Sequence, residues 1–369
     1  MRILHICSYY INDKFYSSFF DSLKKVGIEN SAYVFANTSK KNNRIVLKYA
    51  KVSYCFNSFD RIFFHLKHYK VFRDMKANIN FKEYDIIHAH SLFSNGYIAY
   101  LIKKRYGIPY VITVRYPDFF TFFKWMPYLR PLGKKILDDA EKIIFLSESS
   151  KDATFKYING SLLRKVISKT LIIPNGIDDY WINNILKDKK NISDKNNIKL
   201  IFVGRINKNK NPEILIKICS ILKTRGIEPK LYIVGKIEDK RYINIFNKYE
   251  FIIYCGECEK ERLIEYYRTA DIFIMLSHKE TFGLVYAEAM SQGLPIIYSK
   301  GQGFDKQFAD GEVGYPCSYN NANEACEAII NIMSNYEKLS ENCLKNVRRY
   351  SWNKITENIV KNAYEKVLI

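Results

Sequence analysis

The 369-residue chain contains no uninterrupted run of eighteen apolar residues, which excludes a membrane-spanning helix. Its opening, Met1-Arg-Ile-Leu-His-Ile6, reads as a strand with no cleavage region after it, so no secretory signal is expected and the chain is placed in the cytoplasm. Eight scattered cysteines form no disulfide-like framework. Cys255-Gly-Glu-Cys258 is a lone CxxC without a second pair or clustered histidines, and reads as ordinary thiols rather than a metal or redox site. Glycine is missing from Ser8 to Tyr16, the loop after the first strand, which excludes a glycine-rich phosphate cradle of the usual dinucleotide kind. Negative charge is scarce: 38 Asp plus Glu stand against 58 Lys plus Arg, for a net +20. The deficit is uneven, with 29 basic and 13 acidic residues in 1–175. Such a positive field favours a polyanion: nucleic acid, an anionic membrane surface or a phosphate-bearing substrate. Lys and Asn enrichment in an AT-rich genome gives the same excess without any function. No RNA- or DNA-binding motif is found, and paired glutamates oppose a polyanion, so nucleic acid is not the expected partner.

What is present is alternation. Apolar strands at Ile3–Ile6, Ala32–Phe35, Tyr84–His88, Pro109–Val114, Lys142–Leu146 and Leu171–Ile173 are separated by helix-period segments or polar breaks. Asp60 to Lys76 reads as a helix with Ile62, Phe63, Leu66, Tyr69 and Phe72 among basic residues. It is either an amphipathic cover for a sheet or a surface helix meeting lipid headgroups. Phe119 to Leu129 is crowded with aromatics and reads either as a membrane- or acceptor-facing loop or as a helix packed between domains. His90 and Arg115 fall at strand carboxyl ends, where Rossmann-like sheets place ligands.

Pro174-Asn-Gly-Ile-Asp178 marks a turn out of a domain. We therefore expect residues 1–175, joined by a returning helix at 352–369, and residues 176–351 to form two domains. The second repeats the alternation, with strands at Ile198–Val203, Leu231–Val234, Phe251–Tyr254, Ile272–Leu276 and Ile296–Ile297. Arg205 and Lys210 follow its first strand, with Asn211 as the expected cap of a helix opening on Pro212. Two fixed cations beside a helix start can neutralise a diphosphate without a metal. From Ala270 to Gln292 an apolar strand gives way to a polar loop holding Glu280, then to a helix that starts near Gly283 and carries Glu288. Carboxylates on either side of an anion-binding helix start suit a ligand with hydroxyls on both sides of a phosphate, as in a nucleotide sugar.

Pro174-Asn-Gly-Ile-Asp178, Val203-Gly-Arg205 with Lys210, Glu280 followed eight positions on by Glu288, and Gly293-Leu-Pro295 resemble, in order and spacing, the GT-B retaining glycosyltransferases of family 4. Asp85-Ile-Ile-His-Ala-His90 and Gly107-Ile-Pro109 extend the resemblance over nearly the whole chain. It implies an α/β GT-B fold, with two Rossmann-like domains facing each other across a cleft and a C-terminal helix crossing back to the first. It implies a UDP-, GDP- or dTDP-linked sugar donor on the C-terminal domain, an acceptor on the N-terminal domain, and no metal or cofactor. Arg205 and Lys210 would hold the diphosphate, Glu280 would lie near the transferred sugar, and Glu288 would take the ribose hydroxyls. Gly204, Tyr254 and the backbone of Phe282, Gly283, Leu284 and Val285 would complete the donor site, with His90, Arg115 and Asp118 as candidate sugar or acceptor contacts. Ser8 to Lys14 stand where many members carry a glycine-rich turn, and Arg115 where many carry a histidine. The expected activity is transfer to a lipid-linked or membrane-proximal glycan in bacterial surface polysaccharide or lipopolysaccharide assembly, at the inner face of the cytoplasmic membrane. A GT-B sugar-nucleotide epimerase is the alternative enzyme.

Overall fold

The computed structural model describes residues 1–12, 15–40, 47–192, 194 and 196–368. Asp13 and Lys14 of the first loop, residues 41–43 of the polar break and Ile369 lie outside them. The chain divides into two compact units, Met1–Gly176 with Trp352–Ile369, and Ile177–Ser351.

The first unit is built on a seven-stranded parallel sheet. Its strands are β1 (Arg2–Ile6), β2 (Glu29–Asn37), β3 (Ala50–Phe56), β4 (Ile86–Ala89), β5 (Tyr110–Val114), β6 (Lys142–Phe145) and β7 (Thr170–Ile172), in the order β3-β2-β1-β4-β5-β6-β7. The central strands are mostly apolar because helices cover both faces; β4 and β5 are buried along their whole length, with His88 and Thr113 their polar members. The C-terminal helix Trp352–Ile359 packs on this unit, its Trp352 ring 4.8 Å from Phe15 and its Thr356 hydroxyl 2.9 Å from that of Ser22.

The second unit holds a six-stranded parallel sheet of β8 (Asn197–Val203), β9 (Glu228–Val234), β10 (Ile252–Gly256), β11 (Ile272–Met275), β12 (Ile296–Ser299) and β13 (Gly314–Cys317), in the order β10-β9-β8-β11-β12-β13. In each sheet the strand order reverses once, between β1 and β4 and between β8 and β11. Ligands of open parallel sheets bind outside the strand carboxyl ends at such a switch point. In the second unit, the loops after β8 and β11 are the two that carry Lys210 and Glu280.

Two edge strands lay outside the sequence expectation. β3 is partly exposed along most of its length, so no apolar run announces it. β13 reads Gly-Tyr-Pro-Cys, and proline is tolerated only because the strand lies at an edge. Gly314 is required there, since a Cβ would stand 1.8 Å from the Ile296 carbonyl oxygen.

Two further expectations are corrected. The helix expected from Asp60 runs from Phe64 to Asn78 and buries Phe64, His68, Val71 and Met75, leaving Ile62, Phe63, Leu66 and Tyr69 exposed. The aromatic segment is two short helical stretches, Asp118–Phe123 and Pro127–Leu129. Phe123 and Leu129 enter the core of the first unit, whereas Trp125 and Tyr128 remain 67% and 64% exposed.

Candidate active site

The loop after β8 and the loop after β11 are stitched together by backbone and amide contacts. The His278 N–H donates to the Asn209 carbonyl at 2.9 Å, and the Asn209 side chain donates to the Lys279 carbonyl at 3.0 Å. Asn211 donates to the Leu276 carbonyl at 3.0 Å and to that of Tyr319 at 2.7 Å. Asn211 is therefore no side-chain cap for the helix Pro212–Thr224: it is left-handed, at φ 56°, and its amide locks one loop to the other. The stitching brings the Lys210 ammonium onto the Glu280 carboxylate, with the two side chains only 17% and 12% exposed.

A third loop, after β12, fixes Glu280 from behind. The Glu280 N–H donates to Gln302 Oε1 at 2.9 Å, and the Gly303 N–H donates to the Glu280 carbonyl at 3.0 Å. Neither Gln302 nor Gly303 carries a local sequence signal that would have nominated it. The helix Leu284–Ser291 then starts from Gly283 at φ 78°, where a Cβ would fall 2.5 Å from the Tyr286 ring. No acidic residue sits in its first turn, so the free amides of Leu284 and Val285 leave the helix start partially positive. Phe282 turns its ring into the core, 5.7 Å from that of Tyr350, and can offer a ligand only its main chain.

Arg205 is not brought onto the Lys210–Glu280 contact. Its side chain, 71% exposed, donates to Glu238 at 3.3 Å, a partner the sequence reading missed. The Asn207 amide, at 2.7 Å from Glu238, and the Arg205 charge hold that carboxyl below its ordinary range. Gly204 directly follows β8, and Tyr254 in β10 is exposed, its hydroxyl donating to the Gly235 carbonyl at 3.1 Å.

Glu288 occupies the second turn of its helix. Burial pushes its carboxyl up to about 7; Lys260 and the Tyr267 hydroxyl pull it down, and the Asp178 charge pushes it up. Asp178, last residue of the Pro174–Asp178 turn, accepts the Tyr180 N–H at 2.9 Å and pairs with Lys260. That pair beside Glu288 was not foreseen.

In the first unit Arg115 follows β5, its guanidinium donating to Asn175 at 3.3 Å and lying 5.8 Å from the centre of the Tyr16 ring, while its Nε is buried without a partner. It shares with His90, Thr113 and Pro174 a cavity of about 20 Å³, enough for about one water. Asp118, expected among the sugar or acceptor contacts, is corrected to a framework role. It is fully buried and accepts the backbone N–H groups of Leu92 at 2.8 Å, Phe93 at 3.1 Å and Arg115 at 2.8 Å. Burial nevertheless raises its carboxyl to about 6, the three backbone bonds and Arg115 opposing the rise.

Among the described residues, one group has the donor atoms of a metal site: His5, His88 and His90, within 4.8 Å of one another. Four of their six ring nitrogens serve other bonds, while His5 Nε2 and His90 Nδ1 are buried without a partner among the described residues. His5 Nδ1 lies 3.0 Å from His90 Nε2, and the two nitrogens of His88 lie 2.6 Å from the Tyr364 hydroxyl and 2.8 Å from that of Thr113. With both His88 nitrogens engaged and its ring stacked on His90 at 4.2 Å, the trio is a hydrogen-bonded stack kept neutral by burial.

The two units answer to two family models: Glycosyltransferase Family 4 over residues 23–180 and Glycosyl transferases group 1 over residues 184–350. Among curated relatives, the chain is 26% identical to the alpha-monoglucosyldiacylglycerol synthase of Streptococcus pneumoniae, over 94% of this chain and 82% of the relative. Among solved structures it is similar to a lipopolysaccharide outer core galactosyltransferase in its apo form, with TM-score 0.75, 14% identity, and 99% and 100% of the two chains covered. It is also similar to HepE of Anabaena in complex with UDP and glucose, with TM-score 0.68, 18% identity, and 99% and 100% covered. The fold is GT-B and the protein is a glycosyltransferase. Within that class, the chain belongs to family 4, the group 1 glycosyl transferases.

Proposed function

We propose that this glycosyltransferase moves a sugar from a nucleoside-diphosphate donor, held by residues 177–351, to a lipid-linked or membrane-proximal acceptor handled by the first unit. The contact of Lys210 with Glu280 at the start of the helix Leu284–Ser291 carries the reading. A donor diphosphate would take over the ammonium and the free helix amides, charge-assisted bonds of the kind that stabilise a leaving phosphate. Glu280, released from Lys210, would then turn its lone pairs to the hydroxyls of the transferred sugar. Arg205, exposed and held by one bond to Glu238, would swing onto the diphosphate from the rim. Glu288 would accept the ribose hydroxyls, and Gly204 and Tyr254 would line the nucleotide. In this scheme two cations do the work of a metal. Retention of configuration, with the departing phosphate helping to deprotonate the acceptor hydroxyl, completes the proposal.

HepE binding UDP and glucose supports the donor class, and the glycolipid synthase and the lipopolysaccharide transferase support an acceptor of bacterial surface-glycan assembly. No helix among the described residues is long and apolar enough to cross a membrane, so contact with the inner membrane face would be peripheral. A thermal-shift screen against UDP-, GDP-, dTDP- and ADP-sugars tests the donor half, since a ligand that binds the folded state raises its stability by mass action. One nucleotide sugar is expected to raise the Tm, and Arg205→Ala or Lys210→Ala to abolish the rise. A rise that survives both substitutions would overturn the diphosphate assignment. Binding to anionic vesicles that weakens with salt tests the membrane half.

A further inference from the structure

The first unit has a ligand-sized feature at the carboxyl ends of its strands, apart from the water-sized cavity beside Arg115. A cavity of about 390 Å³ opens where Ser8 follows β1, Asn37 ends β2 and Phe56 ends β3. Its volume is in the range of small-molecule sites. Two cations line it, Arg61 and Lys67, and among the described residues no carboxylate does. The nearby acids are already used: Asp60 is held by Lys70 at 2.7 Å and 2.9 Å, and Asp74 accepts the Tyr33 and Ser53 hydroxyls. Lys67 is the more costly cation. Its ammonium is 5.0 Å from the centre of the Phe56 ring and 5.3 Å from that of Phe35, and besides burial the like charge of Arg61 acts against it, opposed by Cys55. The two ring faces stabilise the ammonium in part, but with no carboxylate lining the cavity among the described residues its counter-charge is left for a ligand to supply. The helix Phe64–Asn78 also starts here with neither an acidic residue in its first turn nor a side-chain cap.

Beside this cavity lies an apolar one of about 580 Å³ that shares Ile62, Phe64 and Tyr128 with it. Its rim is open to solvent: Phe59 is 63% exposed and Ile62 69%, with Phe63 and Leu66 also exposed. An apolar surface of this kind, contiguous and unburied, marks a binding face. Charge and greasy surface are thus laid out in sequence, cation pair first and aromatic shelf next.

We propose that this pair of cavities is a subsite for a lipid phosphate, with the phosphate between Arg61 and Lys67 and the hydrocarbon chain over Ile62, Phe63 and Tyr128. The inference rests on the reading of a lipid-linked acceptor and deepens it by naming the phosphate as the recognised group. Isothermal titration of the full chain with monododecyl phosphate below its micelle concentration tests it, against dodecyl maltoside and inorganic phosphate. Dodecyl phosphate is expected to bind at least about ten-fold more tightly than either control, and to lose about ten-fold in Lys67→Met and in Arg61→Gln, the loss of one charge-assisted hydrogen bond. Because Arg61 is exposed, its variant keeps the test open if Lys67→Met misfolds. Equal binding of inorganic phosphate would leave a plain anion hole, equal binding of the maltoside a plain apolar shelf, and unchanged affinity in both variants a site elsewhere; each overturns the proposal. Both variants are expected to keep the nucleotide-sugar thermal shift. Absence of that shift in the wild-type chain would sink the donor reading while the alkyl phosphate titration still decides this one.

Discussion

The Lys210 ammonium donates to the Glu280 carboxylate across 70 positions of sequence, and neither side chain is more than 17% exposed. Each group is the other's counter-ion in the free chain, so a ligand that claims one releases the other. That exchange separates the effects of the two residues. Lys210→Ala is expected to weaken nucleotide-sugar binding by ten-fold or more, as for a lost charge-assisted hydrogen bond worth about 1.5–3 kcal/mol. Glu280→Gln keeps the size of the side chain and the cation, so it is expected to hold affinity within about three-fold and to lower turnover at least about a hundred-fold. Calorimetry with the donor and steady-state kinetics read the two apart. Equal loss of affinity in both variants would contradict the division of roles.

Gly283 and Gly226 have nearly the same backbone angle, φ 78° and φ 79°, in different surroundings. A Cβ on Gly226 meets nothing within 4 Å, whereas one on Gly283 meets the Tyr286 ring at 2.5 Å. Gly226→Ala is expected to cost only left-handed strain, about 1–2 kcal/mol. Gly283→Ala adds the displacement of a buried tyrosine whose hydroxyl donates to the Met275 carbonyl, and is expected to cost about 1–3 kcal/mol more. Urea denaturation of the two variants checks the difference. Only Gly283→Ala should also reduce donor binding.

The parallel sheets were legible because apolar strands alternating with helix-period segments admit few other folds. That Lys210 and Glu280 lie at the same end of the second sheet was legible because each follows an apolar strand by a few residues, and the structure brings the two into contact. What the sequence hid is cross-chain stitching. Asn211 reads locally as a cap and acts as a clamp between two loops; Gln302 and Glu238 have no local signature at all, because their roles exist only once three loops converge. The helix Phe64–Asn78 was misread for a related reason. It does cover the sheet, with Phe64, Val71 and Met75, but Leu66 and Tyr69, which the sequence offers in the same apolar set, stay exposed, because which apolar residues face inward is set only once the sheet is in place.

Glu288 gives donor binding a pH dependence. Its carboxyl, pushed up to about 7 chiefly by burial, must be ionised to accept two ribose hydroxyls. Affinity for a nucleotide sugar, whose diester phosphates do not titrate nearby, is therefore expected to rise from pH 6 to pH 8, and Glu288→Gln to flatten the rise. For folding the sense is reversed. A carboxyl raised above its unfolded value contributes stability that is full below about 4.5 and lost as pH rises through about 7, so ligand and fold respond oppositely to the same proton. Titration calorimetry at several pH values, with thermal melts alongside, measures both signs.

Asp118 tests whether a buried carboxylate near the ligand end is scaffold or contact. Its two oxygens accept three backbone amides, and asparagine has one acceptor oxygen with which to replace them. Asp118→Asn is expected to destabilise the chain by about 1–3 kcal/mol, the cost of a buried donor left unmade, while donor affinity stays near wild type. Denaturation and donor titration on the same sample decide between the two roles.

Lys67 is expected to show the opposite of a stabilising charge. Burial, helped by Arg61, pulls its ammonium down to about 8; Cys55 pulls it the other way, and His68 packs beside it with its own proton affinity lowered. Below pH 8 the folded chain carries a charge that the unfolded chain would hold at less cost. Replacing it with methionine, which keeps the length of the stem over Phe35 and Phe56, is therefore expected to raise the Tm at pH 7 by about 2–4 °C, equivalent to about 1 kcal/mol for a unit of this size. Between pH 8 and pH 10 the unfolded chain holds the Lys67 proton and the folded chain releases it, so the wild type gains stability on the variant and the gap closes. Melting both proteins across that range isolates this one group, since every other titration is shared. A gap that stays constant with pH would mean that the ammonium is solvated and no anion is needed to neutralise it.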